Sequence, residues 1–269
     1  MTKSEWGTDT EVWRRISPPF LPRPQDLELF RRACPPGLLD AENAPRILVL
    51  GMTPALVAGP WPARSEVHAV DFDQVMIDTQ WQAREGVQWH CARWQEMPFA
   101  DGCFDLVIGD CSFISLPGIA DYQDVLREIS RVSKPSAPLV MRFFMQSDPR
   151  LELATLADDA ASRFADWTPL GRSLLIPIAA SEEDGSLRIT DIPGKVAERW
   201  ARLDDFLVAM GQPPEDRELL AQIYQLEQRL NFPSEARIRK EFGPWYPDIS
   251  FAYPDYDCGA FCPIVRCLR

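Results

Sequence analysis

The residues best suited for chemistry in this sequence lie in a short turn that follows an apolar run. Residues 47–50 have strand length and are followed by Gly51 and then by Thr53 and Pro54. This order predicts a buried strand that turns into a helix, with Thr53 as N-cap and Pro54 in the first helical turn. Backbone N–H groups at such a turn can bind an anionic group, and a glycine lets a ligand approach the main chain.

A single acidic residue, Asp71, ends a second apolar run about twenty residues after Gly51. This spacing suits a carboxylate that accepts hydrogen bonds from a ribose hydroxyl. A solvated aspartate at a strand end is the alternative interpretation. The two residues together place a candidate binding site where two apolar strands end.

Four segments carry a family resemblance. They are Leu-Val-Leu-Gly at 48–51, Ala-Val-Asp-Phe-Asp at 69–73, residues 97–107 and residues 126–135. In this order they resemble the class I S-adenosylmethionine (SAM)-dependent methyltransferases. The resemblance is greatest to a bacterial group in which the glycine-rich motif is reduced to Gly-x-Thr-Pro. It covers roughly residues 45–145.

The resemblance implies SAM as cofactor and methyl transfer to a small-molecule acceptor. Gly51, Met52 and Thr53 are then expected at the methionine end of the cofactor, and Asp71 at its ribose hydroxyls, where a charged acceptor binds a diol strongly. Phe72 is expected to cover one face of the adenine, although it would fit equally well in a core.

The family usually has Asp-Trp after the third strand, whereas this sequence has Arg93-Trp94. An arginine has no hydrogen-bond acceptor, so Arg93 cannot bind the adenine amino group as an aspartate would. Arg93 would instead stack on the ring or pair with Glu96. The alternatives are that main-chain groups and Trp94 hold the base, that Gln95 or Glu96 replaces the aspartate, or that adenine affinity is reduced.

Residues 110–113 follow the fourth apolar strand, where the resembling enzymes place the sulfonium and the acceptor. Asp110 is expected to face the positive charge of the cofactor or to accept a proton from the substrate. An aspartate that caps a loop is the alternative. Cys111 is assigned to the cofactor, and Phe113 to the substrate.

Further candidates lie outside the central motifs. Arg142, at the end of the fifth strand, is a candidate for binding an anionic part of the substrate, and pairing with an acidic neighbour is the alternative. Tyr224 is assigned to the substrate, and Tyr256 is a candidate catalytic residue. His68 and His90 alternate with apolar residues in predicted strands, so neither is named as a base.

These residues require a scaffold of alternating strands and helices. The sequence predicts strands at 47–50, 66–71, 87–91, 104–109 and 139–144, and helices at 26–33, 73–83 and 119–133. The helix at 73–83 is expected to bury Val75, Met76 and Trp81. This alternation favours right-handed crossovers and a doubly wound, mostly parallel sheet, with the ligand crevice at the carboxyl ends of the strands.

The residues after position 145 are too many for closing strands alone. Apolar periodicity predicts helices at 151–164, 196–210 and 215–230, a helix capped by Ser234, and extended segments at 248–253 and 261–268. The expected fold is a seven-stranded Rossmann-like sheet that ends in an antiparallel hairpin and carries a helical cap. The expected divisions are an N-terminal arm or lid at 1–40, a SAM-binding core at 45–145, and the cap with the hairpin at 146–269.

Composition limits the partners. The 269 residues are 46% hydrophobic, which is sufficient for a core, and carry a net charge of −12. That charge argues against nucleic acid or an anionic membrane as partner. Without a signal peptide or an apolar span, we expect a cytoplasmic protein. The closest cysteine pair, Cys258 and Cys262, does not have zinc-site spacing, so no metal is expected.

Orientation and desolvation are expected to be the main catalytic contributions, so a dedicated base is optional. Two alternatives remain. One is an enzyme that cyclises or cleaves SAM itself, and the other is an inactive binding protein of the same fold.

Overall fold

The computed structural model describes residues 18–80, 85–146, 149–164, 167–257 and 259–269. The predictions for residues 1–17, Trp81 and Cys258 lie outside these ranges. Within them the strands are β1 (Arg46–Leu50), β2 (Glu66–Asp71), β3 (Val87–Cys91), β4 (Leu106–Asp110), β5 (Leu139–Arg142), β6 (Ser186–Arg188), β7 (Arg229–Asn231), β8 (Asp248–Ala252) and β9 (Ile264–Leu268).

Helices cover both faces of the main sheet and continue into the region after β5. They are α1 (Pro24–Ala33), α2 (Pro54–Val57), α3 (Gln74–Gln80), α4 (Ile119–Val132), α5 (Leu153–Arg163), α6 (Pro169–Arg172), α7 (Leu175–Ala180), α8 (Ile192–Ala197), α9 (Leu203–Ala209), α10 (Pro214–Ile223) and α11 (Glu235–Phe242).

The main sheet has seven strands in the order β3-β2-β1-β4-β5-β9-β8. The first five pair in parallel, and β9 pairs antiparallel with both β5 and β8. This confirms the predicted doubly wound, Rossmann-like sheet and its antiparallel hairpin. The strand order reverses between β1 and β4, and in open parallel sheets such a reversal opens a crevice at the carboxyl ends of the strands.

Continuous apolar strands form this sheet because both of its faces are covered. In β1, Leu48 and Leu50 pack in the core shared with α4 and α11, whereas Ile47 and Val49 pack in the core shared with α1, α2 and α3. All four side chains are fully buried. After Arg46, the central strand therefore carries no polar side chain before Gly51.

Helix α2 has only 4 residues, since Gly59 and nearby prolines follow it. Helix α4 buries an apolar face made of Tyr122, Val125, Leu126, Ile129 and Val132. Helix α3 is oriented differently from the prediction. Val75 is 45% exposed, and Ile77 is the fully buried residue of this helix. A helix of 7 residues has fewer than two turns in which periodicity can define its buried face.

The cap, residues 149–230, has its own buried core, which includes Trp167, Leu175 and Phe206. Two predicted helices are wrong in extent. The segment 196–210 contains only the end of α8, followed by α9, and the segment 215–230 ends its helix at Ile223 before entering β7. Strand β7 pairs antiparallel with β6 in a small second sheet. This long-range pairing outweighs local helical periodicity.

The closing hairpin and α11 agree with the sequence. Ser234 caps α11 by accepting a hydrogen bond from the backbone N–H of Arg237 at 3.2 Å. Among the described helices, none combines the length and the apolar composition that crossing a membrane requires.

Candidate active site

A cavity of about 300 Å³ lies between the carboxyl ends of β1, β2 and β4 and the cap. We call its first part the strand-end side, which is lined by Leu50, Gly51, Met52, Thr53, Pro54, Asp71, Phe72, Asp73, Met76, Trp94, Asp110, Cys111 and Ser112. The cap side is lined by Leu170, Ser173, Leu174, Pro177, Ile189, Ile192, Leu219, Leu220, Ile223, Tyr224 and Leu230. Between the two sides lie Phe20, Leu21, Ile114, Ser115 and Phe144.

The charges around this cavity all have one sign. Asp71, Asp73 and Asp110 lie on the strand-end side, and no lysine, arginine or histidine lines the cavity in the described part of the chain. The cap side has no charged lining residue among those described. A cationic or neutral ligand is therefore favoured over an anionic one, since a buried anion without a counter-charge is costly.

The turn after β1 contributes space to the cavity. Gly51 has a φ of +98°, in the left-handed region that favours glycine. A Cβ at this position would lie 3.9 Å from Cζ2 of Trp94 and 4.0 Å from Oδ2 of Asp71, so it would project between these two side chains. The N–H of Gly51 donates to the carbonyl of Val70 at 2.8 Å and is already used within the protein.

The predicted N-cap of α2 is only partly confirmed. Thr53 occupies the N-cap position and Pro54 the first turn, but the Thr53 side chain makes no capping hydrogen bond. Its Oγ1 lies instead 3.5 Å from Oδ2 of Asp110, across the cavity floor. With α2 only 4 residues long, this turn offers little helix dipole to an anion.

Asp71 lies at the end of β2, largely buried beside the cavity. Its Oδ1 accepts a hydrogen bond from the backbone N–H of Asp73 at 2.9 Å. Burial raises the pKa of Asp71 to about 6, and the neighbouring Asp73 carboxylate raises it further, although hydrogen bonds from the backbone oppose this. The site therefore holds a carboxylate that has no cationic partner among the described residues.

Two aromatic residues flank Asp71. Trp94 is buried, and its Nε1 donates to the carbonyl of Val70 at 2.8 Å, which fixes the ring against the end of β2. Phe72 is 53% exposed although it lines the cavity. An exposed aromatic side chain next to a buried one provides two apolar surfaces for a planar ligand.

Asp110 and Arg142 form a buried ion pair beneath the cavity. Nε of Arg142 donates to Oδ1 of Asp110 at 2.6 Å, and its NH1 lies 3.4 Å from Oδ2 of Asp26 in α1. The Arg142 guanidinium also donates to the carbonyl of Phe20 at 3.2 Å. One arginine thus connects β4, β5, α1 and the segment before α1. The Asp110 carboxylate, which lines the cavity, is held in place by this arginine.

Cys111 has an unusual backbone for a non-glycine residue, with a φ of +54°. Its N–H donates to the carbonyl of Arg142 at 2.9 Å. Burial, together with Asp110, raises the pKa of the Cys111 thiol well above its usual range, so the sulfur is a neutral thiol at neutral pH. Backbone strain of this kind is concentrated at functional sites.

The structure brings together Gly51, Met52, Thr53, Asp71, Phe72, Trp94, Asp110, Cys111 and Tyr224 from the predicted site. It does not place Arg93 there, since this residue is exposed and does not line the cavity. Arg142 is fully buried and pairs with two carboxylates of the protein. It does not line the cavity, so its assignment to an anionic part of the substrate is corrected.

Two aromatic predictions are also corrected. Phe113 is fully buried in the core below the sheet edge, with its ring centroid 4.9 Å from that of Tyr122, and it does not line the cavity. Tyr256 donates to Oδ1 of Asp26 at 3.0 Å, and the Arg23 guanidinium lies 4.4 Å from its ring centroid. Tyr256 is therefore a structural partner of α1 that does not contact the cavity.

Sequence reasoning missed Asp26, Asp73 and Met76. Asp73 immediately follows the Asp71-Phe72 pair, so its position was a usable signal. Met76 was expected to be buried in α3 and instead lines the cavity. Asp26 gave no local signal, because its partners Arg142 and Tyr256 are distant in sequence.

The residues of the strand-end side fit SAM. Its positively charged sulfonium and ammonium groups match a wall whose described side chains include carboxylates and no basic group. A Cβ at position 51 would project between Asp71 and Trp94, into the space that the cofactor would occupy. No group of three or more histidine, cysteine or acidic side chains in the described ranges is arranged to hold a metal ion.

Comparison of the sequence with known protein families identifies the same part of the chain that forms the strand-end side. Residues 48–141 match the family model described as a methyltransferase domain. This range contains β2 to β4, most of β1 and most of β5, and the whole strand-end side. No curated protein sequence matches the chain.

Solved structures share the fold at low sequence identity. A provisionally named Zn-dependent alcohol dehydrogenase from Rhodobacter sphaeroides is 13% identical over 100% of this chain and 99% of its own, with a TM-score of 0.55. Human N-acetylserotonin methyltransferase in complex with SAM is 9% identical over 97% of this chain and 53% of its own, with a TM-score of 0.50. This chain thus spans about half of the human enzyme's length.

A SAM-dependent methyltransferase from Methanosarcina mazei is 13% identical over 88% of this chain and 98% of its own, with a TM-score of 0.48. At these identities, the likeness to solved structures concerns the fold alone. Within this fold, the family match supports the prediction of a methyltransferase domain over residues 48–141, and membership of the group with the Gly-x-Thr-Pro motif stays a prediction.

Proposed function

We propose that this protein transfers the methyl group of SAM to a small-molecule acceptor bound on the cap side of the same cavity. The observation that carries the proposal is the placement of Gly51 and Asp71 at adjoining strand ends, facing one cavity whose charged lining is acidic. When bound, SAM supplies a methyl group on a positively charged sulfur that leaves readily.

Specific residues are suited to hold each part of the cofactor. Gly51, Met52 and Thr53 would bind its methionine end, and Asp71 would accept from the ribose hydroxyls. The adenine would lie against Trp94, with Phe72 over its exposed face. Because Arg93 is exposed and outside the cavity, we assign recognition of the base to Trp94 and main-chain groups.

The protein's own contribution is orientation and the exclusion of water. Asp110 is held by Arg142 at 2.6 Å, which fixes the position of its carboxylate at the cavity wall. That charge favours a cation at the junction between the strand-end side and the cap side. Apolar side chains line most of the remaining cavity, so electrostatic interactions there are stronger than in water.

The enclosure also favours a small acceptor. The cavity lies between the strand ends, Phe20 and Leu21 of the N-terminal arm, and the cap, so a macromolecular substrate would have to displace two segments. The net charge of −12 gives nucleic acid no electrostatic advantage. We propose that this reaction takes place in the cytoplasm.

A matched pair of glycine variants tests the cofactor site. Gly51 and Gly102 both have positive φ, +98° and +61°, and both have room for a Cβ within the protein. Gly51→Ala and Gly102→Ala should therefore carry similar backbone strain of about 1–2 kcal/mol. We expect only Gly51→Ala to weaken binding of S-adenosylhomocysteine in isothermal titration, by about tenfold or more.

Equal affinity in the two variants, or no binding by the wild type, would contradict the proposed cofactor site. The reaction itself is tested by product analysis with SAM and candidate acceptors. Methyl transfer leaves S-adenosylhomocysteine, whereas cyclisation or lysis through the aminobutyryl group leaves methylthioadenosine. Methylthioadenosine as the main product would replace the proposed reaction with chemistry on SAM itself.

A further inference from the structure

The cap side of the cavity is built for a different kind of molecule from the strand-end side. Its lining is apolar except for Ser173 and Tyr224, and none of its described lining residues is charged. The Ser173 hydroxyl donates to the carbonyl of Leu170 at 2.6 Å, so it is already used within the cap. Tyr224 is thus the one side chain of the described cap side whose hydroxyl proton is still available to a ligand.

Tyr224 follows α10 directly and is 3% exposed. Its hydroxyl is shielded from solvent and has no hydrogen-bond partner among the described residues. Leaving a buried hydroxyl unpaired costs roughly 1–3 kcal/mol, and such groups in native proteins call for an explanation. Burial raises the pKa of Tyr224, so the hydroxyl keeps its proton and can donate a hydrogen bond.

We propose that the acceptor is an uncharged, mainly apolar molecule with one hydrogen-bonding group, such as a hydroxyl or a phenol, that pairs with Tyr224. This inference rests on the proposed function. A carboxylate or phosphate on the acceptor would find no cation on the cap side, and it would approach the three carboxylates of the strand-end side. Arg142, the predicted partner for an anion, is fully buried outside the lining.

Titration with simple probes tests the class of acceptor. With S-adenosylhomocysteine saturating, we expect 2-naphthol to bind and 2-naphthoate, which has the same rings and a negative charge, to bind at least about tenfold more weakly. Tyr224→Phe should weaken 2-naphthol binding by about two- to tenfold, the value of one neutral hydrogen bond. The same variant should leave the affinity for S-adenosylhomocysteine unchanged.

Tyr122 provides a matched control, because it is equally buried, its hydroxyl also has no partner, and it does not line the cavity. Both Tyr122→Phe and Tyr224→Phe should raise the melting temperature of the ligand-free protein, since each removes an unpaired buried hydroxyl. Only Tyr224→Phe should alter 2-naphthol binding. This difference separates a ligand contact from a buried group without a function.

Three outcomes would overturn the inference. They are unchanged 2-naphthol affinity in Tyr224→Phe, 2-naphthoate binding as tightly as 2-naphthol, and a wild type that binds S-adenosylhomocysteine but not 2-naphthol. Failure of the wild type to bind S-adenosylhomocysteine would instead contradict the proposed function. The two proposals can therefore fail separately.

Discussion

At the scale of single residues, Asp71 combines two properties that are unfavourable without a ligand. It is largely buried, and its carboxylate has only backbone N–H donors and another carboxylate nearby. The pKa of Asp71 is raised to about 6 because its burial beside the cavity disfavours the charged carboxylate. A ribose diol would supply the missing donors, so the unfavourable charge becomes useful only when ligand is bound.

This arrangement predicts a pH-dependent affinity. The carboxylate is the strong acceptor, and its population falls as pH drops through about 6. If only the ionised form binds well, S-adenosylhomocysteine should bind about tenfold more weakly at pH 5 than at pH 7. In Asp71→Asn, binding should be about ten- to a hundredfold weaker at pH 7 and nearly independent of pH in this range.

Stability provides an independent measurement on the same variant. Since the folded-state pKa of Asp71 lies above its ordinary value, its ionisation lowers the stability of the ligand-free protein as pH rises from about 4 to 6. Asp71→Asn should therefore raise the free energy of unfolding above pH 6 and leave it nearly unchanged below pH 4. A variant with wild-type affinity and a wild-type pH profile would exclude Asp71 from the cofactor site.

At the scale of elements, Arg142 determines how the N-terminal helix meets the sheet. It pairs with Asp110 of β4 and Asp26 of α1, and all three side chains are almost completely buried. Removing the arginine would leave two buried carboxylates without their cation. We expect Arg142→Leu to lower the free energy of unfolding by about 3–5 kcal/mol in urea denaturation.

The exposed pair of Arg127 and Asp124 serves as a control, with 65% and 54% of the two side chains accessible. Arg127→Leu should change stability by less than about 1 kcal/mol. Neutralising both carboxylates in an Arg142→Leu background, with Asp26→Asn and Asp110→Asn, should restore part of the loss. A small effect of Arg142→Leu, similar to that of Arg127→Leu, would show that the buried network is not important for stability.

The strands differ in how well the sequence could predict them. Strands β1, β2, β4 and β5 were found because each is a largely apolar and buried run, and Gly51 and Asp71 were found because adjoining parallel strands end at one edge. The small sheet was missed, since each of its strands has only 3 residues and Ser186 pairs with the distant Asn231. Such strands are too short for a period-2 pattern to appear.

Side-chain direction explains the site residues that were predicted incorrectly. Arg93 and Phe113 lie next to lining residues, Trp94 and Ser112, but point away from the cavity. Adjacent residues in a loop can face opposite ways, and a motif does not determine which one faces the ligand. Tyr224 was predicted to line the pocket, and it does; its unpaired hydroxyl is a property of the folded protein that the sequence could not show.

At the scale of the whole molecule, one cavity joins three parts of the chain that lie far apart in sequence. The arm contributes Phe20 and Leu21, the core contributes the strand-end side, and the cap contributes residues up to Leu230. The family match ends at residue 141, so the cap lies outside the matched part. We therefore expect the core to determine the cofactor and the cap to determine the acceptor.

Hydrogen exchange can measure whether this shared cavity couples the three parts. Because arm, core and cap line one cavity and their contacts are mostly apolar, a ligand that fills the strand-end side should also stabilise the segments packed over it. S-adenosylhomocysteine is expected to slow exchange at residues 48–54 and 71–76, and also, to a smaller extent, at residues 18–21 and 219–224. An acceptor added second should protect residues 170–192 and 219–224 further. Protection confined to residues 48–114 under both conditions would show that the cap does not close over the bound cofactor, and that cofactor and acceptor sites are energetically independent.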